Sequence, residues 1–214
     1  MKIDILQNWK CKCPYSKNTF LTDDSIIDSL LQLLCSTAVM WEVRENIVNA
    51  FLNIPARYIR ILLHHAMHHT IDGICHVLEY QAASGDPRDM VPTMILLSTV
   101  ASRHGEDPDQ KNEQPRDYLL KKLFPNRDLM TELAEGGDSS APMEPKGRDA
   151  DTLGNKIIGL MTSLDMAIKY SANELLFQLA EEDPERFVKL TGFGNAVGLL
   201  AMRNLFGMGA HLKQ

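Results

Sequence analysis

No apolar run in this 214-residue chain approaches the roughly 18 residues that a membrane-spanning helix needs. Positive charge is also short: 22 Lys and Arg stand against 28 Asp and Glu, a net charge of −6. That balance argues against a nucleic-acid binder, which shows a basic stripe. It argues equally against adhesion to anionic membranes, while basic protein partners stay open. Cysteine is scarce, and four in a chain of this size do not make a disulfide scaffold. Cys35 and Cys75 fall inside apolar helical patterns and read as buried thiols. Residues Met1 to Lys12 mix charges with isolated apolar residues and show no signal-peptide core, so the expected compartment is cytosolic. No segment of the central chain alternates with period two over strand length. What remains is a composition of 44% hydrophobic and 23% charged residues, which argues against wholesale disorder and supplies a core without staples.

The apolar periodicity is helical almost throughout. Asp23 or Asp24 can cap a helix with Ile26, Ile27, Leu30, Leu31 and Leu34 on one side. A second runs from about Glu42 to Ile54, and Pro55 ends it and opens a third over Ala56 to about His65. Thr70 to Tyr80 reads as a separate helix. Met90 to Val100 follows, with Pro92 tolerable in its first turn. After a polar loop from Gly105 to Gln114 comes a short helix, Pro115 to Phe124, with one or two more turns at Asp128 to Ala134. Glu135 to Arg148 is rich in Gly, Ser, Pro and charge and reads as a flexible insert, bounded at 135–150. Thr152 to Met161 and Ser163 to Ala180 are strong helices. Asp183-Pro184 opens Glu185 to Leu190, and the last helix runs from about Asn195 to Phe206. The fold class is all-α.

A repeat supports a more specific architecture. Val43, Ile47, Ala50, Phe51, Leu52 and Ile54 align with Ile168, Ala172, Leu175, Leu176, Phe177 and Leu179 at the constant offset that separates Val43 from Ile168. That offset is about three units of roughly 42 residues, inside the armadillo and HEAT range. The expectation is an armadillo/HEAT-like α-solenoid with an extended concave surface. Its domain covers 21–207, after an unmatched, poorly ordered leader at 1–20 and before a tail at 208–214.

Asn46, Asn49 and Asn53 are spaced three and four and so lie along one stripe of one helix. Asparagine does not favour helices, and each amide offers donors and an acceptor, which can pair with the backbone of a bound segment. The plainer reading is an exposed or inter-repeat polar face. At the repeat offset Asn49 and Asn53 map to Glu174 and Gln178, again polar, which favours a shared groove face. His64/His68 and His65/His69 are two i, i+4 pairs able to chelate a metal, but Ala66 and Met67 break any HExxH pattern. The competing reading is a polar helix terminus, where partly charged histidines suit the dipole. Cys11-Lys12-Cys13-Pro14 resembles half of a zinc site, but no second half stands at a usual spacing, and it reads as part of an unstructured leader. Gly192-Phe193-Gly194-Asn195 follows no strand and lacks the Lys-Ser/Thr of a phosphate loop. It reads as a positive-φ turn followed by an Asn195 cap. No catalytic constellation stands out, so the expectation is a protein that is not an enzyme and uses no metal and no cofactor.

Three segments carry a family resemblance. They are Asp151-Thr-Leu-Gly-Asn-Lys-Ile-Ile-Gly-Leu-Met-Thr162, Glu174-Leu-Leu-Phe-Gln-Leu179, and Arg186-Phe-Val-Lys-Leu-Thr-Gly-Phe-Gly-Asn-Ala-Val-Gly-Leu-Leu-Ala201. Weaker ones are Val48-Asn49 through Pro55 and Met90-Val-Pro-Thr-Met-Ile-Leu-Leu97. Together they resemble the C-terminal half of the synembryn family, also called resistance to inhibitors of cholinesterase 8. The resemblance implies a guanine nucleotide exchange factor and folding chaperone for heterotrimeric G-protein α subunits. It also implies a cytoplasmic protein that its partner can draw to the cell cortex. Partner-binding residues are expected at Asn46, Asn49 and Asn53, with Lys169 and Asn173 behind them. Lys189, Gly192, Phe193, Gly194 and Asn195 match the family signature and are assigned first to structure. The alternative is an inactive fragment, or a passive protein-binding scaffold without exchange activity.

Overall fold

The computed structural model describes residues 40–53, 56–102, 113–125 and 152–205, with the isolated helical positions Ser29 and Leu33; of Trp41, residues 56–66 and Ser84 it describes the backbone. The leader, most of the helix expected at Ile26 to Leu34, Cys35, the turns at Asp128 to Ala134, the insert and the tail lie outside the described residues.

Eight α-helices carry the described fold: α1 Trp41–Leu52, α2 Ala56–Ser84, α3 Met90–Ala101, α4 Pro115–Leu123, α5 Leu153–Leu160, α6 Met166–Leu179, α7 Pro184–Thr191 and α8 Phe193–Met202. A 3-10 turn, Pro87–Asp89, precedes α3. No strand occurs among the described residues. Local chemistry explains the boundaries. The side chains of Thr152, Asp165 and Asp183 accept hydrogen bonds from the backbone N–H groups of Asn155, Ala167 and Arg186, satisfying donors that a first turn leaves open. Pro115 and Pro184 occupy first-turn positions, where no N–H is needed.

α3 is the hub. Met90, Thr93, Met94, Leu96, Leu97, Ser98, Val100 and Ala101 are all buried, so it is covered on most sides, as a nearly continuous apolar helix requires. It packs against α1, α2, α4 and, most extensively, α6. A polar link crosses that core: the Thr93 hydroxyl donates to Gln81 Oε1 of α2 at 2.8 Å. α1 and α6 begin at Trp41 and Met166, the same offset that relates the two apolar patterns, and both pack on α3. Within the pair, Ile47 and Ala172 are buried, as are Phe51 and Leu176. The helices therefore stack as an all-α solenoid.

One expected boundary is absent. The helices expected at Ala56 to His65 and at Thr70 to Tyr80 are a single helix, α2. Ala66, Met67, His68 and His69 contain neither Pro nor Gly, so nothing interrupts the hydrogen-bond ladder. The histidines consequently sit in mid-helix and cap no terminus. His68 faces α4 instead, its ring 4.3 Å from that of Tyr118 and its Nε2 3.5 Å from Glu113 Oε2. Beside it, Lys122 Nζ lies 2.7 Å from Asp72 Oδ1, and the Tyr118 hydroxyl donates to that oxygen at 2.9 Å. Burial alone would raise the Asp72 carboxyl, but bonds from Lys122 and Tyr118 hold it below its ordinary value. These partly exposed pairs are worth little each. The buried Leu119, Leu120 and Leu123 hold α4 in place.

Candidate partner-binding site

Asn46 on α1 and Asn53 at its C-cap are exposed and Asn49 on α1 is half-buried, an outward polar stripe as the spacing requires. The amide N–H groups are partly spent. Asn46 Nδ2 donates to Glu42 O at 2.7 Å, and Asn53 Nδ2 to Asn49 O at 2.6 Å. Those bonds hold the side chains along the helix. The repeat-related positions on α6 do not continue the stripe as a free face. Glu174 is bonded by Arg203, and Gln178 Nε2 donates to Glu182 Oε1 at 2.7 Å. The shared groove face expected across both helices is therefore replaced, on α6, by contacts that lock the end of α8 and the next turn.

α6 does form a groove with α8, on another of its stripes. Met166, Lys169, Tyr170 and Asn173 face Gly198 and Met202 across a cavity of about 90 Å³. The structure thus brings Lys169 and Asn173 together. They are unlike in exposure: Lys169 is half-buried, whereas Asn173 is 5% exposed. Asn173 Nδ2 donates to Lys169 O at 2.7 Å, and its buried Oδ1 accepts no hydrogen bond. Met166, Tyr170, Gly198 and Met202 were not singled out from sequence. A usable signal existed: residues 166, 170 and 173 share one helical stripe, as do 194, 198 and 202.

The α7–α8 junction explains the signature segment. Gly192 has φ 83° and serves both as the C-cap of α7 and the N-cap of α8, a backbone state that glycine adopts without strain. α8 then begins at Phe193, two residues before the expected start, so Asn195 does not cap its N-terminus. Its Nδ2 reaches back and donates to Thr191 O at 2.9 Å, closing the C-terminus of α7. Phe193 is 62% exposed and Gly194 is exposed, while Lys189 is half-buried. Beneath them, Phe177 and Phe187 meet edge-on with centroids 5.3 Å apart, and the Arg203 guanidinium lies 4.5 Å above Phe177. The preceding turn holds Glu181 and Glu182 at φ 62° and 57°. Left-handed backbone at two non-glycine residues costs on the order of 1 kcal/mol each. Arg116 (3.1 Å) and Arg186, both ion-paired to Glu181, hold it there.

Cys75 is buried, as expected, and burial pushes its thiol up to about 12. No group of three or more potential metal ligands occurs among the described residues, and no described helix is long and apolar enough to cross a membrane.

A family model, Ric8, described as guanine nucleotide exchange factor synembryn, matches residues 6–213. A protein named Chaperone Ric-8A from Xenopus laevis is 30% identical over 181 residues, covering 78% of this chain and 30% of its own. The Bos taurus protein of that name is 51% identical over 180 residues with the same two coverages. That of Rattus norvegicus is 52% identical over 121 residues, 56% of this chain and 19% of its own. The chain therefore spans at most about 30% of the length of these relatives.

Proposed function

The chain belongs to the Ric8 synembryn family, and on that premise we propose that it binds a heterotrimeric G-protein α subunit and assists its nucleotide exchange or its folding. The observation that carries the reading is the family match over 6–213, which takes in the α7–α8 signature segment. Exchange by such a protein needs no covalent chemistry. It works by binding the nucleotide-free α subunit better than the GDP form, and only that difference in affinity can drive release. A 100-fold preference corresponds to about 2.7 kcal/mol.

Under this reading the solenoid units are of armadillo/HEAT type and the protein acts in the cytoplasm, drawn to the cell cortex by its partner. The binding residues are Asn46, Asn49 and Asn53 on α1 and Lys169 and Asn173 on α6. Lys189, Gly192, Gly194 and Asn195 act through the junction they build, and the exposed Phe193 is available for contact. The short span relative to the curated relatives favours one second reading, a scaffold that binds the α subunit without accelerating exchange.

Binding is tested by titrating a purified GDP-loaded α subunit with the chain and with the Asn49→Ala/Asn53→Ala double variant, helicity being checked by circular dichroism. The expected result is saturable binding by the wild type and a several-fold loss in the variant. Equal affinities at equal helicity would remove α1 from the binding surface.

A further inference from the structure

The turn that carries the chain from α6 into α7 is held in a shape its residues do not favour. Glu181 and Glu182 stand in succession at φ 62° and 57°, where the Cβ crowds the following carbonyl. The turn after α8 shows the ordinary solution. There a single left-handed residue, Asn204 at φ 55°, suffices, and Leu205 N–H closes on Leu200 O at 2.9 Å. After α6 the same closure forms, Glu182 N–H on Phe177 O at 2.9 Å, but two carboxylate residues in left-handed backbone build it. On either side of them the backbone has little freedom. Ala180 ends α6 at φ −82° and ψ 12°, and Pro184 confines Asp183 to extended backbone. Any swing of α7 about α6 therefore has to be absorbed by Glu181 and Glu182, as in a hinge.

Charge holds this turn closed. Glu181 Oε1 lies 3.1 Å from Arg116 Nη2 of α4 and is also paired with Arg186 Nη1 of α7. The Arg116 and Glu181 side chains are 16% and 20% exposed, so salt screens them less than a surface pair. Asp117 Oδ1, 3.1 Å from the same Nη2, sets the guanidinium. Glu182 is tied inside the turn, where its Oε1 accepts from Gln178 Nε2 at 2.7 Å.

We propose that Glu181, Arg116 and Arg186 form a latch on this hinge. Closed, the two arginines outweigh the backbone strain and clamp α7 and α8 to α4. Open, Glu181 and Glu182 return to ordinary backbone, and α7 and α8 move out together while α1 to α3 stay folded. The two helices travel as a unit because the Asn195 amide donates to Thr191 O at 2.9 Å and ties α8 to α7. Opening parts the edge contact of Phe187 with Phe177 and the pairing of Arg203 with Glu174. It leaves the rest of the core in place, since α3 is the hub on which α1, α2, α4 and α6 pack. The segment Lys189 to Asn195 rides on the moving part.

The test is amide hydrogen exchange of the full chain, read by mass spectrometry, for the wild type, Glu181→Gln, Arg116→Gln and Glu181→Gly. Removing the charge by Glu181→Gln or Arg116→Gln is expected to speed exchange across α7 and α8 about tenfold, with α1 to α3 unchanged. Glu181→Gly loses the same charge but holds φ 62° without strain, so its acceleration is expected to be smaller. That ordering separates released strain from a merely lost contact. Unchanged exchange in α7 and α8 for both glutamine variants overturns the latch, and so does acceleration spread equally over all helices. A glycine variant that opens as readily as Glu181→Gln overturns it as well, because strain then drives nothing.

Discussion

Alanine at position 154 would put a methyl group where the Phe124 ring already stands. A Cβ on Gly154 lies 2.5 Å from Cδ1 and Cζ of that ring and closer still to Cε1, against the 3.5–4.0 Å at which carbons pack. The ring must retreat by about 1 Å or more. It is 1% exposed and has nowhere open to go. Overpacking of this kind costs about 1–3 kcal/mol. Against it stands the helix propensity of alanine over glycine, up to about 1 kcal/mol. The clash wins, and Gly154→Ala is expected to be destabilised by up to about 2 kcal/mol, the difference of those two effects. For a chain of this size each kcal/mol moves Tm by about 2–4 °C. Gly159, on the same helix, is the internal control, because a Cβ there meets nothing within 4 Å. Gly159→Ala should gain up to about 1 kcal/mol from propensity alone. Urea unfolding followed by far-UV circular dichroism reads both. A Gly154→Ala variant as stable as the wild type, or more so, would refute the packing of α5 against Phe124.

Other outcomes follow from the same coordinates. Phe177→Ala removes a buried ring together with its edge contact to Phe187 and the face under Arg203, so a loss of about 3–5 kcal/mol is expected in denaturant unfolding. The Asp165 carboxyl is held below its ordinary 3.8 by the Ala167 N–H and by Arg88, so its stabilisation is present above that value and lost as pH falls through the lower folded value. The Asp165→Asn variant should therefore be less stable than wild type near neutral pH, with the gap closing in strong acid. Cys75, buried and with its thiol pushed up to about 12, should resist iodoacetamide in the folded chain and react once urea unfolds it.

Much of this fold is legible where punctuation is chemical. Thr152, Asp183-Pro184 and Pro115 mark helix starts because a side-chain acceptor or a missing N–H suits a first turn and little else. The offset between the α1 and α6 patterns is readable because both helices bury the same stripe against α3. The fusion that makes α2 is hidden, since a polar His-His pair resembles a terminus although nothing there breaks the ladder. The Asn195 role is hidden as well: an asparagine after Gly-Phe-Gly reads as a cap for the next helix, and only the backbone path shows it bonding the helix before. The groove is the least legible part. Lys169 and Asn173 can be named from sequence, but the empty Asn173 acceptor and the bare backbone at Gly198 arise from how α8 folds back on α6.

The most direct test of the central claim is the rate of GDP release from a purified α subunit, with and without the folded, monodisperse chain, alongside co-elution of the two on a sizing column. The account predicts a co-eluting complex and release that accelerates with chain concentration. A folded chain that neither co-elutes nor changes the rate would contradict it.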